Sequence, residues 1–375
     1  MSTAFARFLQ RLWWRPRLGA FTVLLTPLAA LVGAVAARRR AAAERKPAAP
    51  LPVPVIVVGN VIVGGAGKTP TVIALVVLLR AWGFQPGIVS RGHGRRDDAP
   101  LLLDAASAAT ARAEAFGDEP MLMHRRTGAP VAVGRARREA AVRLLEVHPR
   151  TDVLIADDGL QHHALPRDIE LVVFDGRGMG NGWTLPAGPL REPVDALWPA
   201  PGNSPATPAS PAGPHDPARF VLVNGRWPAP PALPSPAPAS ACWHAERALG
   251  GAVALEEWAR GEPASAAALD ALQGRRILAA AGIGDPERFF SMLEARGLAI
   301  ARLPLDDHAH FDPLPWDAGT SEVIVTEKDA VKLAQRAPSG TRVWVVTLDF
   351  RLPPGLADAL HAALREASRA RRPAP

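Results

Sequence analysis

The sequence has one cysteine, Cys242, no tyrosine and no internal repeat. A lone cysteine cannot close a disulfide within the chain, so a disulfide-stapled secreted scaffold is excluded and a reducing compartment fits. Acidic residues are almost missing at one end. Residues 1–46 hold nine basic side chains and one acid, Glu44, whereas the other 329 residues hold 34 basic and 35 acidic ones. The formal charge of +7 therefore sits at the N-terminus and not on the body of the protein. A nucleic-acid-binding domain carries its basic surplus on the folded body, so nucleic acid is set aside as a partner. A surplus confined to an apolar N-terminus points to anionic lipid instead.

Leu18–Ala37 is twenty residues without a charge, preceded by Trp13, Trp14, Arg15 and Arg17 and followed by Arg38, Arg39 and Arg40. That length reaches the roughly 20 residues a bilayer span needs. Gly19, Pro27 and Gly33 dilute it, however, and two basic flanks give no orientation. The expectation is a membrane-associated segment, 1–46, whose helix lies in or half enters the interface. A true span, a cleaved signal ending at Ala34-Val35-Ala36 and a plain core helix are the alternatives. Export would part the protein from ATP, which the following motifs require.

A chain of 375 residues with 48% hydrophobic content can bury two α/β cores, while 39 prolines and 32 glycines demand loops. Short β-branched runs alternate with helical patterns. Strands are expected at Val53–Val58, Gly87–Ser90, Val131–Val133, Val153–Ala156 and Ile169–Phe174, with helices at Thr69–Trp82 and Arg135–Val147. Such alternation implies a mostly parallel sheet. Thirteen prolines crowd Pro199–Pro238, where one isolated strand, Phe220–Val223, is expected between linkers. A second alternating region has strands at Ile277–Ala281, Val323–Thr326 and Val343–Leu348, and a helix at Pro286–Ala295. Pro353-Pro354 opens a last helix to about Ala370. The fold class is α/β: a P-loop NTPase-like domain at 47–198, a proline-rich insert at 199–240 and a smaller α/β domain at 241–352. A C-terminal helix at 353–375 would pack on the first domain.

The strongest motif is Gly64-Gly65-Ala66-Gly67-Lys68-Thr69-Pro70, between a strand and a helix. Backbone N–H groups there, with a helix N-terminus behind them, form an anion site. Lys68 would reach the β- and γ-phosphates of ATP and the Thr69 hydroxyl would ligate Mg²⁺. Ile62 stands where the standard pattern has its first glycine, and the turn is expected from Gly64 or Gly65. A plain structural turn is the bland alternative. Partition-type ATPases also use such loops, but they carry a lysine where this chain has Val63.

Val153–Ala156 ends in Asp157-Asp158, and ligands of open parallel sheets bind at strand C-termini. A carboxylate there can hold Mg²⁺ directly or through water; a turn would use the same residues. Gly159, Gln161, His162 and His163 follow. Gly117-Asp118-Glu119-Pro120 precedes a helical pattern, Met121–Arg126. One of its acids is either a proton acceptor for an attacking hydroxyl or a helix-opening charge. Asp306-Asp307-His308-Ala309-His310 is a metal site of no standard spacing, a histidine that orients a carboxylate, or a solvated loop. Thr326-Glu327-Lys328-Asp329 differs from the guanine-reading motif by a displaced lysine, so GTP is not inferred.

In order along the chain, Gly59-Asn60 with the phosphate loop, Ser90-Arg91-Gly92-His93-Gly94, Gly117-Asp118-Glu119-Pro120 and Asp157-Asp158-Gly159-Leu160-Gln161-His162 resemble the tetraacyldisaccharide 4′-kinase family. Pro186-Ala187-Gly188-Pro189-Leu190-Arg191-Glu192, Ala281-Gly282-Ile283-Gly284, Asp307-His308 and Thr326-Glu327-Lys328-Asp329-Ala330 extend the resemblance over all but the proline-rich insert. It implies two α/β domains and an N-terminal helix on the cytoplasmic face of the bacterial inner membrane. It also implies phosphoryl transfer from ATP·Mg²⁺ to the 4′-hydroxyl of an acylated glucosamine disaccharide 1-phosphate. The catalytic carboxylate maps onto Asp118, with His308 as its partner from the second domain. Nucleotide and Mg²⁺ contacts map onto the loop residues Gly64, Gly65, Ala66, Gly67, Lys68 and Thr69, with Asp157, Asp158, Gln161 and Glu192. Asn60, Arg91, Glu119, His162 and Arg191 are candidates for substrate contact. His93 stands where the family has tyrosine, and Ile62 and Ala66 replace more polar residues. The rival from another class is a regulatory P-loop NTPase at the membrane, which would hydrolyse nucleotide without a glycolipid acceptor.

Overall fold

A computed structural model of the chain describes residues 8–9, 11–15, 19–45, 48–92, 95, 99–194, 217–225, 242–335 and 340–371. His93, Gly94 and the proline-dense stretch outside 217–225 lie outside the described residues. In chain order the elements are α1 (Ala20–Leu24), α2 (Thr26–Arg45), β1 (Val55–Gly59), α3 (Lys68–Ala81), β2 (Pro86–Ser90), β3 (Leu101–Leu103), α4 (Ala113–Phe116), α5 (Asp118–Thr127), β4 (Val131–Val133), α6 (Arg137–Val147), β5 (Val153–Asp157) and β6 (Ile169–Asp175). They continue with β7 (Ala218–Asn224), β8 (Cys242–Ala254), α7 (Leu255–Arg260), α8 (Ala266–Asp270), β9 (Arg276–Ala281), α9 (Pro286–Ala295), β10 (Ala299–Pro304), β11 (Glu322–Thr326), α10 (Glu327–Leu333), β12 (Arg342–Arg351) and α11 (Pro354–Ala370).

The chain divides into two compact units, one of Met1–Lys68, Thr151–Ala245 and Leu352–Pro375, the other of Thr69–Arg150 and Glu246–Arg351. Residues 69–150 thus group with the later α/β region. In the first unit β1 lies between β5 and β6, β7 pairs with β6, and the start of β8 pairs with β7, all parallel. Every residue of β1, β5 and β6 is buried, as expected of parallel strands covered on both faces. The strand at Ala218–Asn224 is therefore not isolated: seven residues pair with β6 and four with β8. Proline density hid this, because the prolines flank the strand and leave its own N–H groups free to pair. On α11, Leu356, Leu360 and Leu364 recur at helical spacing and are buried, which gives it one core-facing stripe. Beyond it Arg371 grips both oxygens of Asp168 at 2.6 and 2.7 Å, and Asp168 also accepts the Val55 N–H at 2.7 Å.

The N-terminal segment belongs to the same unit. Its helix breaks at Leu25 and then runs on through Arg38, Arg39 and Arg40. Among the described residues no helix is long and apolar enough to cross a membrane. Ala29 is buried and its carbonyl accepts from the Thr184 hydroxyl at 2.7 Å. Phe21, Val23, Leu24, Leu28, Leu31 and Val35 stay exposed, Leu24 to 79%.

In the second unit β10, β9, β11 and β12 form a parallel sheet, with β8 antiparallel to β12 at one side. Its residues alternate between two cores. Val323 and Val325 enter one with Val343 and Val345; Ile324 enters the other with Trp344 and Val346, the period of two that a strand imposes. The first core also takes Leu122 of α5 and Ala330 and Val331 of α10, so these two helices pack together. A smaller set, β2 parallel to β4 and β3 antiparallel to β4, completes the unit.

Candidate active site

In the first unit the chain leaves β1 at Gly59, where backbone and neighbour crowd: a Cβ there would stand 2.7 Å from the Leu160 side chain. Val61, Ile62 and Val63 then pair as a short antiparallel ribbon with Pro189–Arg191. Arg191 N donates to Val61 O at 2.7 Å and Val63 N to Pro189 O at 2.9 Å, with Ile62 bridged to Leu190. Ile62 is fully buried. The missing glycine is thereby explained: position 62 is extended backbone in a ribbon, and the turn falls later. Gly64 takes φ of +91° and Gly67 φ of +86°, a left-handed backbone that glycine adopts without a Cβ penalty; Gly65 is not in that region.

Buried asparagines hold the loop. Asn60 donates to the carbonyls of Ile62 at 2.8 Å and Gly64 at 3.2 Å, and its own oxygen accepts from Lys68 Nζ at 3.1 Å. Asn60 was a candidate for substrate contact; it is fully buried and committed to the loop and its lysine. Asn224, at the end of β7, donates to Ala66 O at 2.5 Å and Gly67 O at 3.3 Å. The sequence did not single out Asn224, which directly follows the expected strand Phe220–Val223.

Lys68 Nζ also stands 3.5 Å from Asp158, which accepts from Arg191 at 3.1 Å. Asp158 has φ of +48°, an uncommon conformation for a non-glycine residue that recurs at functional sites. Its neighbour Asp157 is almost fully buried at the end of β5. Gln161 donates to Glu192 at 2.8 Å, and Arg40 of α2 lies 3.9 Å from Glu192. Thr69 is the second residue of α3. His162 is half-buried in the turn after β5, its N–H on Gly159 O at 3.0 Å. Arg177 was not singled out by sequence. It is paired with Asp175 at 2.6 Å, stacked 4.3 Å over the ring of Trp14, and 3.5 Å from where a Cβ at Gly64 would stand. A cavity of about 600 Å³ opens between α2 and this region, lined by Ala30, Gly33, Ala34, Trp183, Leu190 and Pro193 among others.

The second unit holds Asp118 and His308. Asp118 opens α5 and is buried; His308, in the loop after β10, has φ of +62°. Nδ1 of the histidine is 3.2 and 3.1 Å from the two carboxylate oxygens. A carboxylate only accepts, so Nδ1 carries the hydrogen. His308 was expected to reach Asp118 from another domain; both residues belong to one compact unit. Burial works to raise the Asp118 pKa, but the hydrogen bond from His308 and the charges of Lys328 and Lys332 outweigh it and hold the carboxyl far below its usual range. The same hydrogen bond raises the His308 pKa, against burial and the charge of Lys328.

Glu119 accepts from Lys328 Nζ at 3.0 Å, as does Asp307 at 3.1 Å. Lys332 lies 3.5 Å from Asp118 and donates to Ala309 O at 2.9 Å. The sequence singled out Thr326-Glu327-Lys328-Asp329 without this connection, because Lys328 and Glu119 stand 209 positions apart and only tertiary packing brings α10 to α5. Arg91 is exposed at the end of β2. Among the described residues no three His, Cys, Asp or Glu side chains converge as a metal cage; within the 306–310 run, His308 hydrogen-bonds the Asp118 carboxylate.

The family model for tetraacyldisaccharide-1-P 4′-kinase (LpxK) matches residues 21–202 and 210–365. The chain belongs to that family. A tetraacyldisaccharide 4′-kinase of Methylibium petroleiphilum is 50% identical over 95% of this chain and 93% of its own length. One of Leptothrix cholodnii is 49% identical over 92% and 93%. A crystal structure of LpxK from Aquifex aeolicus in complex with ATP covers 92% of this chain and 99% of that one, with a TM-score of 0.68 at 23% identity. That likeness shows the shared LpxK fold. Ile62 takes part in the backbone ribbon that precedes the phosphate loop.

Proposed function

We propose that the chain transfers the γ-phosphate of ATP to the 4′-hydroxyl of a tetraacyldisaccharide 1-phosphate, giving the bis-phosphorylated lipid A precursor, lipid IVA. One observation supports this reading above the rest. A phosphate loop with its lysine held in place and a carboxylate–histidine pair occur together in a chain of the LpxK family. The regulatory NTPase reading needs no such pair.

The loop N–H groups and Lys68 receive the triphosphate, and Asn60 and Asn224 keep the loop carbonyls turned away from it. Thr69, Asp157 and Asp158 offer hard oxygen donors, with Glu192 and Gln161 behind them. Mg²⁺ takes one or two carboxylates plus phosphate oxygens and keeps its waters, so this donor set fits without a cage. When bound, the ion offsets charge on the transferring phosphoryl group. Asp118 accepts the proton of the attacking hydroxyl, and His308 fixes the carboxylate while leaving lone pairs for that proton. Arg91, Glu119, His162 and Arg191 are polar groups for the sugar and its phosphate. The apolar cavity beside α2 offers room for acyl chain. The exposed apolar residues of α1 and α2, among basic side chains, suit the cytoplasmic face of the inner membrane.

The test is acceptor dependence. Purified protein with ATP and Mg²⁺ should release ADP only when the acylated disaccharide 1-phosphate is added, with label from γ-³²P-ATP appearing at the 4′ position. Equal ADP release without the glycolipid would return the regulatory NTPase.

A further inference from the structure

We propose that Lys328 is a positioning residue of the Asp118–His308 pair: held on Glu119 and Asp307, its ammonium stands against Nε2 of His308 and keeps the ring proton on Nδ1, toward Asp118. The proposal rests on the kinase reading for the role of Asp118, while the placement of the proton stands on geometry alone.

An ammonium has three donors and no acceptor. Lys328 Nζ finds Glu119 Oε1 at 3.0 Å, Asp307 Oδ1 at 3.1 Å and His308 Nε2 at 3.5 Å. Its three directions are taken by these neighbours, and the side chain is largely buried. It is therefore placed to act within the unit and not to capture a phosphate. Burial disfavours its charge, but Glu119, Asp118 and Asp307 more than restore it, so Lys328 is an ammonium at any working pH.

The histidine is thus addressed from both sides. Nδ1 gives its hydrogen to Asp118. Nε2 faces a cation at 3.5 Å, nearer than the carboxylate oxygen of Asp307 at 3.9 Å. A lone pair at Nε2 is stabilised by that cation, and a proton there is repelled. Were Nε2 to take a proton, the imidazolium would bind Asp118 as a full ion pair and weaken it as a base. Lys332 lies 3.5 Å from the Asp118 carboxylate and donates to Ala309 O. Among the described residues, Asp118 from α5, Asp307 from its own loop and Lys328 from α10 touch the ring, while Glu119 meets Lys328 and Lys332 of α10 meets Asp118. Among these, Lys328 puts its positive charge against Nε2 at 3.5 Å.

The experiment is the titration of the His308 ring nitrogens, followed by ¹⁵N NMR on the full-length protein in detergent and assigned by loss of the signals in His308→Asn. Lys328→Met should move the titration upward by about one pH unit, the size expected for losing one charge at this range. Asp307→Asn removes the nearest anion to Nε2 and should move it downward. Lys328→Arg, which keeps the charge, should stay near wild type. The acidic limb of kcat should follow each shift while KM for ATP holds. A Lys328→Met titration at the wild-type pH, or both variants moving in one direction, overturns the proposal. Should Lys328→Met not fold, the sign of the Asp307→Asn shift decides. The titration needs no substrate, so a wild type that phosphorylates no glycolipid would sink the kinase reading and leave the role of Lys328 to be judged separately.

Discussion

Nδ1 of His308 lies within 3.2 Å of both carboxylate oxygens of Asp118, although 190 positions separate the two residues. The pair lies inside one compact unit. Asp118→Ala and His308→Ala should each lower kcat by roughly 10²–10⁴-fold, the range of general-base catalysis. Because one group orients the other, the double variant should be hardly worse than the poorer single. Losses that multiply in the double-mutant cycle would show independent roles.

The same pair predicts a pH window for stability. His308 has a folded pKa above its usual 6.5, so its contribution is complete below that value and disappears as pH rises through the folded one. Asp118 is depressed below its usual 3.8, so its contribution is complete above that value and is lost as pH falls through the folded one. The stability difference between wild type and His308→Asn should therefore be greatest between these values and shrink above neutrality. Thermal melts across pH 4–9 would test this; a difference growing with alkaline pH contradicts it.

Lys68→Ala should reduce turnover by orders of magnitude, since it removes charge at the transferring phosphate. Asn60→Ala should act differently. It frees Lys68 and leaves the carbonyls of Ile62 and Gly64 without their donor, at a cost of about 1–3 kcal/mol. Both KM for ATP and the melting temperature should suffer. An Asn60→Ala protein with wild-type melting but lost turnover would instead mean that the side chain touches substrate.

Asp168→Ala offers the contrasting case. It breaks the bonds to Arg371 and to the Val55 N–H, removing about 1–3 kcal/mol. Its neighbours take no part in phosphate or proton handling. Denaturant titration should show the loss while kcat is unchanged at low temperature.

Deleting residues 1–46 should shift the protein from anionic vesicles to solution, because it removes the whole basic surplus and the exposed Leu24, Leu28 and Leu31. Co-sedimentation with vesicles containing phosphatidylglycerol would measure it. Undiminished binding at high salt would point to another apolar surface.

Much of this was legible in the sequence where the signal is local. β1, α3, β5 and β6 follow from β-branched runs, a glycine turn and helical spacing, and the phosphate loop follows from their order. β10 was not expected because Ala299–Pro304 offers one isoleucine and one leucine among small and charged residues, and its pairing with β9 decides the matter. Leu101–Leu103 is too short to announce a strand. The pairing of Asp118 with His308 came from family resemblance; nothing in either local run encodes it. Lys328 was visible in a motif but mute, since its partners come from α5 and the loop after β10, which only tertiary packing brings together. Ile62 looked like a defect because a pattern of glycines describes side chains, whereas the ribbon with Leu190 is made of backbone.

That ribbon has a consequence for how such a gene can change. Substitutions at 61–63 and 189–191 are tolerable in so far as the N–H and C=O groups remain, but a one-residue insertion or deletion in either segment is not. Shifting register by one turns each side chain to the opposite face, so Arg191 would leave Asp158 and Glu192 would leave Gln161 at a stroke. Variation at these two places, 128 positions apart between Ile62 and Leu190, should therefore accumulate in letters and never in length.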